Sequence, residues 1–291
     1  MGKVQPEWIA VAIGDDGLEA WAMSGGTVQA HVGSTQGTQT AASIEELLSG
    51  WEVLADTPIV LCGAEIAPAD DIRTTHRKVP CPPLPDRFDT APCGRFRAAL
   101  IPGLWQEQPA AVLLGGETKI AGFLSLNQNW DGVICLPGDR THWVQVSAGE
   151  VVSFESYLTG ALFKSLAQRS GESGSDPKMA DDLAPFDDAV ADAIGKPEKL
   201  AARLASIEAG LAQNILSAAE GMSRFSGSLI GAEIAAARPY WLGMNLAVIG
   251  SGPLAPLYTR ALESQGAPAT VADAGRMTLA GLTAAYRRMQ G

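Results

Sequence analysis

Short apolar runs alternate with glycine-rich and acidic breaks at the start of the chain. Trp8–Ile13, Leu18–Met23 and Val28–Val32 are separated by Gly14-Asp15-Asp16-Gly17 and by Gly25-Gly26. Runs of this length bounded by turn residues predict a β-meander. Ser43-Ile44-Glu45-Glu46 has the form of a capping box and predicts a short helix to about Trp51. Pro58–Cys62 reads as a buried strand ending at Gly63, residues 79–92 as an extended Pro-rich segment, and Ala98–Ile101 as a strand stopped by Pro102-Gly103. A strand at Ala110–Leu114 meets Gly115-Gly116-Glu117-Thr118 and then a helix through Leu124.

After the polar stretch Asn127–Asp131 the pattern begins again. Gly132–Leu136, Trp143–Ser147 and Val151–Glu155 predict a second hairpin set, which echoes the first and suggests a duplicated lobe. The boundary therefore falls between 1–126 and 127–291, with the final helix able to pack back on the first lobe. Leu200, Leu204, Ile207, Leu211 and Ile215 recur at helical spacing and predict one helix over Lys199–Glu220. A more apolar helix follows at Gly227–Trp241. The chain ends as strand Leu246–Ile249, helix Pro253–Ser264, strand Ala269–Ala272 and helix Arg276–Met289. A β-α-β-α ending belongs to a covered α/β sheet.

Composition narrows the function classes. Hydrophobic residues make up 46% of the 291 and charged residues 18%, enough for a real core. The net charge of -11 argues against nucleic acid as a partner, because a phosphate backbone needs clustered Lys and Arg. No uncharged apolar stretch reaches the roughly 18 residues of a membrane span. No basic segment followed by an apolar core opens the chain, so a secretory leader is not expected. Cys62, Cys81, Cys93 and Cys135 form no CxxC and read as reduced cytoplasmic thiols.

Three segments could carry chemistry. In Leu246–Ala255 a strand runs into Gly250-Ser251-Gly252 before a helix, where glycines admit a close ligand and free N–H groups face it. The same residues fit G-x-G-x-x-A, with Asp273 after the next strand, which is a rival dinucleotide-binding reading. Glu117 stands at a strand-to-helix junction, where a carboxylate can take a proton from a hydroxyl. Small residues at 227, 228, 231, 232 and 235 thin one helix face, suiting either a close backbone or a flat ring.

In this order the three segments resemble the 2-dehydro-3-deoxygalactonokinase family of the actin-like sugar-kinase superfamily. The likeness rests on Ile101-Pro102-Gly103-Leu104, on Leu136-Pro137-Gly138 with Trp143-Val144 and Leu158-Thr159-Gly160, on Ser226–Glu233, and on Val248–Leu254. It implies two actin-like (ribonuclease-H-like) α/β lobes around a central cleft. It also implies ATP-dependent phosphorylation of a 2-dehydro-3-deoxy sugar acid, with Mg²⁺, in a cytoplasmic protein compatible with a homodimer.

The resemblance assigns roles. Glu117 would be the base. Gly14 and Gly138 would meet phosphates, and Gly231, Gly250, Ser251 and Gly252 the adenosine. Thr118 would face the sugar acid, and Arg140 would hold its carboxylate or neutralise phosphate charge. The family opens on an Asp that organises magnesium and phosphate, and here Ala12 stands in its place, so Asp15 or Asp16 would hold the metal. Glu19 replaces a family Arg, and only one of two family glutamates remains at Gly116-Glu117. These departures raise a competing reading, a non-catalytic sensor of sugar acid or nucleotide.

Overall fold

The computed structural model describes residues 4–14, 17–34, 41–64, 72–171 and 181–291. They form two compact units. The first comprises Met1–Asp131, Gln145–Phe154 and Ala272–Gly291, and the second Gly132–Val144 and Glu155–Val271.

In the first unit, β1 (Trp8–Gly14), β2 (Gly17–Ser24) and β3 (Thr27–Ser34) form the expected antiparallel meander. Helix α1 (Ala41–Leu47) leads to β4 (Ile59–Cys62), which lies parallel to β1. Ser43 is inside α1 rather than ahead of it, so it does not cap the helix. Beyond β5 (Arg77–Lys78), β6 (Thr90–Cys93) and β7 (Phe96–Leu100) complete a six-stranded sheet of order β3-β2-β1-β4-β7-β6. β8 (Leu104–Glu107) and β9 (Ala110–Leu113) form a small second sheet with β5, and β9 leads into α2 (Gly116–Leu126).

β1 is buried on both faces because its alternate residues feed two cores. Ile9 and Val11 pack with Ile44, Leu48 and Trp51 on one side. Trp8, Ala10 and Ala12 pack with Ala121 of α2 and with Leu282, Ala285 and Tyr286 on the other. A strand covered on both faces reads as a continuous apolar run, which is why Trp8–Ile13 does not alternate.

The second unit holds β10 (Gly132–Leu136), the start of β11 (Thr141–Ser147) and the end of β12 (Glu150–Tyr157), with Gln145–Phe154 belonging to the first unit, and then α3 (Thr159–Arg169), α4 (Ala184–Gly195), α5 (Leu200–Ala212), α6 (Ala218–Ala236) and α7 (Arg238–Trp241). Then come β13 (Leu246–Gly250), α8 (Leu254–Glu263) and β14 (Ala269–Asp273), whose last two residues, like α9 (Ala274–Gln290), belong to the first unit. The sheet order is β12-β11-β10-β13-β14, and β10 and β13 run parallel. Both large sheets therefore place three consecutive strands first and the later ones beyond the opening strand. That is the duplicated ribonuclease-H-like arrangement.

One predicted helix is two. Lys199–Glu220 breaks after Ala212, Asn214 takes a positive φ of 55°, and Ser217 starts α6 with a complete capping box to Glu220. The apolar spacing that runs on to Ile215 hides this break.

Candidate active site

At the end of β1 in the first unit, three backbone segments converge. Gly63, at a φ of +77°, lies so close to the Ile13 carbonyl that any Cβ there would collide with it. Gly115, at a φ of +78°, would place a Cβ 3.5 Å from the Gly63 Cα and 3.7 Å from the Ile13 oxygen. Both positions therefore need glycine for conformation, and Gly63 needs it for space as well. Gly115 is also the N-cap of α2, so the first turn of this helix begins at the ends of β1 and β4. Gly14 lies there too, exposed, at the tip of β1.

This turn carries Glu117. The residue is fully buried. The Thr118 hydroxyl donates to its Oε1 at 3.1 Å, while Oε2 has no hydrogen-bond partner among the described residues. Burial pushes the carboxyl up to about 7, against smaller opposing effects of hydrogen bonds and of Arg77 and Lys119. A half-satisfied buried carboxylate titrating near neutrality is an arrangement suited to accepting a proton. Cys62 at the end of β4 is pushed up to about 12, by burial first and by the Glu117 charge second, so its thiol stays protonated.

The backing of α2 is close-packed. A Cβ at Gly122 would run into the Met277 carbonyl, and one at Gly281 into the Thr118 carbonyl. The α2 and α9 backbones thus meet through two glycines, and α9 fixes the turn that holds Glu117.

Arg77 was not found from sequence. Arg77 Nη2 donates to the Pro82 and Pro83 carbonyls at 2.7 and 2.8 Å, while its Nε has no partner among the described residues. Burial lowers its pKa, and the Glu117 charge is among the influences that raise it. Nothing in the spacing around residue 77 marks it, since it sits on a two-residue strand.

In the second unit, the turns after β10 and β13 lie together. A Cβ at Gly250 would meet Ala255 Cβ at 2.9 Å and Pro137 Cδ at 3.6 Å. Gly160, at the start of α3, sits directly on the Gly138 carbonyl, and Asp139 pairs with Lys164 at 2.5 Å. So Gly138, Gly250, Ser251 and Gly252 gather at the carboxyl ends of two parallel strands, the usual place for a ligand in an open α/β sheet. Arg140 is exposed at the same turn.

Gly231 stands apart from these. The space beside it is filled by Val190 and Ala193 of α4, as Phe186 and Ala189 fill that beside Gly227. At Gly227 and Gly231 the thin face of α6 packs on α4. Asp273 accepts from the Arg276 amide at 2.8 Å as the N-cap of α9, so the acidic residue of the dinucleotide pattern has a structural role. Asp15 and Asp16, expected at a metal, lie outside the described residues.

Glu233 was not singled out as a site residue either. It is 3% exposed on α6. Trp143 Nε1 and the Tyr258 hydroxyl each donate to it at 2.8 Å, and the Thr159 hydroxyl makes a third, short bond. Burial lifts it to about 7 while these three donors pull the other way. A glutamate inside the small-residue run Gly231-Ala232-Glu233-Ile234-Ala235 was the available signal.

The described residues include no group of three or more His, Cys, Asp or Glu that could hold a metal ion, and no helix long and apolar enough to cross a membrane. Ala12, paired with Cys62 across β1 and β4, offers a methyl where the resembled family has a carboxylate. Mg²⁺ held largely by phosphate oxygens and water needs only one or two carboxylates, and the two expected here, Asp15 and Asp16, lie outside the described residues.

A family model described as 2-keto-3-deoxy-galactonokinase matches residues 13–285. The chain is 29% identical over 295 residues, 96% of each sequence, to a protein of Rhizobium meliloti (strain 1021) named a probable 2-dehydro-3-deoxygalactonokinase. It is 24% identical to the 2-dehydro-3-deoxygalactonokinase of Escherichia coli (strain K12), over 90% of this chain and 91% of that one. A crystal structure described as a 2-dehydro-3-deoxygalactonokinase from Sinorhizobium meliloti superposes with a TM-score of 0.85 at 29% identity, covering 96% of both chains. A 2-hydroxyisocaproyl-CoA dehydratase activator from Clostridium difficile shares the fold, with a TM-score of 0.53 at 12% identity over 97% of this chain and 94% of that one.

Proposed function

The chain belongs to the 2-keto-3-deoxy-galactonokinase family and is a sugar kinase, and on that premise we propose that it phosphorylates a 2-dehydro-3-deoxy sugar acid, such as 2-dehydro-3-deoxygalactonate, with ATP. The observation that carries the reading is Glu117, buried, unpartnered at Oε2 and lifted to about 7 at the start of α2. In the proposed step Glu117 takes the proton of a sugar hydroxyl. The hydroxyl oxygen bonds to the γ-phosphorus of ATP as the bond to the β–γ bridging oxygen breaks, and ADP leaves.

The other residues position the two substrates. Thr118 orients the carboxylate through its hydrogen bond. Arg77, on the same unit, presents an unpartnered Nε suited to the carboxylate of the sugar acid, for which a guanidinium is the natural partner. Arg140, exposed at the turn after β10, is suited to phosphate charge. Gly138, Gly250, Ser251 and Gly252 take the nucleotide, the glycines allowing its close approach. Gly14 supplies a backbone approach for phosphate at the tip of β1. The Clostridium activator of the same fold is described with bound ADPNP.

The test is ADP release and phospho-sugar formation by the purified protein with ATP and 2-dehydro-3-deoxygalactonate. Turnover that Glu117→Gln abolishes supports the reading. Turnover that survives Glu117→Gln removes Glu117 as base, and absence of product with this and related sugar acids overturns the assignment of substrate class.

A further inference from the structure

Helix α6 carries Arg224 and Ser228 four residues apart, and therefore on one face. That face, α4 and α5 border a pocket of about 390 Å³ within the second unit, partly open to solvent and lined by Arg203, Arg224, Ser228, Asp192, Ile207 and Leu216 among others. Its size is that of sites for metabolite-sized ligands.

The polar lining is unfinished. Ser228 is fully buried, and its hydroxyl has no partner among the described residues. Hydroxyls on helices usually turn back to the carbonyl four residues earlier, as Ser165, Thr259 and Thr283 do here. Ser228 does not. Arg203 Nη1 and Arg224 Nε are also buried without a partner, although Arg203 Nη2 holds the Asp192 carbonyl at 2.9 Å. Of the seven buried side-chain atoms without partners among the described residues, three line this one cavity. All three are donors, so together they call for an acceptor.

The charge points the same way. The lining itself carries two guanidiniums against the one carboxylate of Asp192, with Glu220 a helical turn from Arg224 as the nearby opposing charge. Ile207 and Leu216 give it an apolar wall, and Ile215, 70% exposed, borders it.

We propose that this cavity binds a small organic anion, with a carboxylate or phosphate head on Arg203, Arg224 and Ser228 and an apolar body against Ile207 and Leu216. Guanidinium and hydroxyl donors in a partly buried site favour an oxyanion head. The cavity uses none of the residues placed in phosphoryl transfer, and the inference stands independently of that reading.

The test uses the full chain and two probes, inorganic phosphate as a head group alone and hexanoate as a head group on an apolar body. Calorimetric titration is paired with thermal melting. Hexanoate is expected to bind more tightly than phosphate and to raise the melting temperature. Ser228→Ala is expected to weaken hexanoate by about 10-fold while raising the melting temperature of the ligand-free protein, since it removes a buried, unpaired hydroxyl. Arg203→Gln should weaken binding at least as much.

Four results overturn the proposal. One is no binding of either probe at millimolar concentration, and another is binding unchanged in both variants. Phosphate bound as tightly as hexanoate would reduce the site to a free-oxyanion site. Displacement of hexanoate by ATP would make the cavity part of the nucleotide site.

Discussion

Glu117 and Glu233 are both buried, and burial lifts both carboxyls to about 7. Their surroundings separate them. Glu233 receives three donors from β11, the first turn of α3 and α8, and neither of its oxygens is left open. Glu117 receives one hydroxyl and keeps Oε2 open. A raised pKa alone therefore does not distinguish a reactive carboxylate from a structural one. The difference lies in how completely the charged form is already hydrogen-bonded. A saturated carboxylate ties elements together, and an unsaturated one can still take up a proton.

The comparison breaks most visibly at Glu117. Glu117→Gln is expected to lower turnover by about 10²–10⁴-fold, the usual contribution of a positioned base. The same variant should be more stable at neutral pH. A folded pKa near 7 against an ordinary 4.5 means that the folded state holds its proton longer. The stability this contributes is complete below pH 4.5 and is lost as pH rises to 7, about 3 kcal/mol for a fully buried group. Thermal melting of wild type and variant across that range checks the sign. A fall in stability together with activity would place Glu117 among the structural carboxylates.

Glu233→Ala should do the reverse. Stranding the Trp143, Thr159 and Tyr258 donors is expected to cost about 3 kcal/mol, read by urea unfolding, with turnover per folded molecule nearly kept. Lost turnover at unchanged stability would reverse the two roles. Gly281→Ala forces a methyl against the Thr118 carbonyl, so α2 must shift. About 1–3 kcal/mol of stability should go, and turnover with it, because Glu117 moves with its helix. The smallest effect is expected from Thr118→Val. It removes the one hydroxyl that favours the charged form of Glu117. The acid limb of kcat/KM, expected near pH 7 and rising with pH, should move upward by less than about one unit.

Much of this architecture could be read from apolar runs and their breaks, because strands buried on both faces leave an unmistakable signature. The meander, the restart at Gly132 and the closing β-α-β-α follow from it. The break at 213–216 escaped because Leu211 and Ile215 keep helical spacing across it, while the true signals were the capping pair Ser217 and Glu220. Glu117 was legible because glycines, a carboxylate and a strand end stand together locally. Glu233 was not, since its three partners come from residues 143, 159 and 258. The small residues of α6 suited two occupants equally, and only the position of α4 shows that Gly227 and Gly231 serve helix packing.

The first unit contains both the earliest strand and the latest helix of the chain. Trp8 stacks on Tyr286 with ring centroids 4.3 Å apart, so β1 and α9 meet side by side. In connectivity this makes the chain a loop that is open at one point. A circular permutant that joins the two ends and opens at the positive-φ turn of Asn129 would place α9 just before β1. Glu117 and the helix that backs it would then be made in one stretch, and the distance along the chain between them would no longer include the entire second unit.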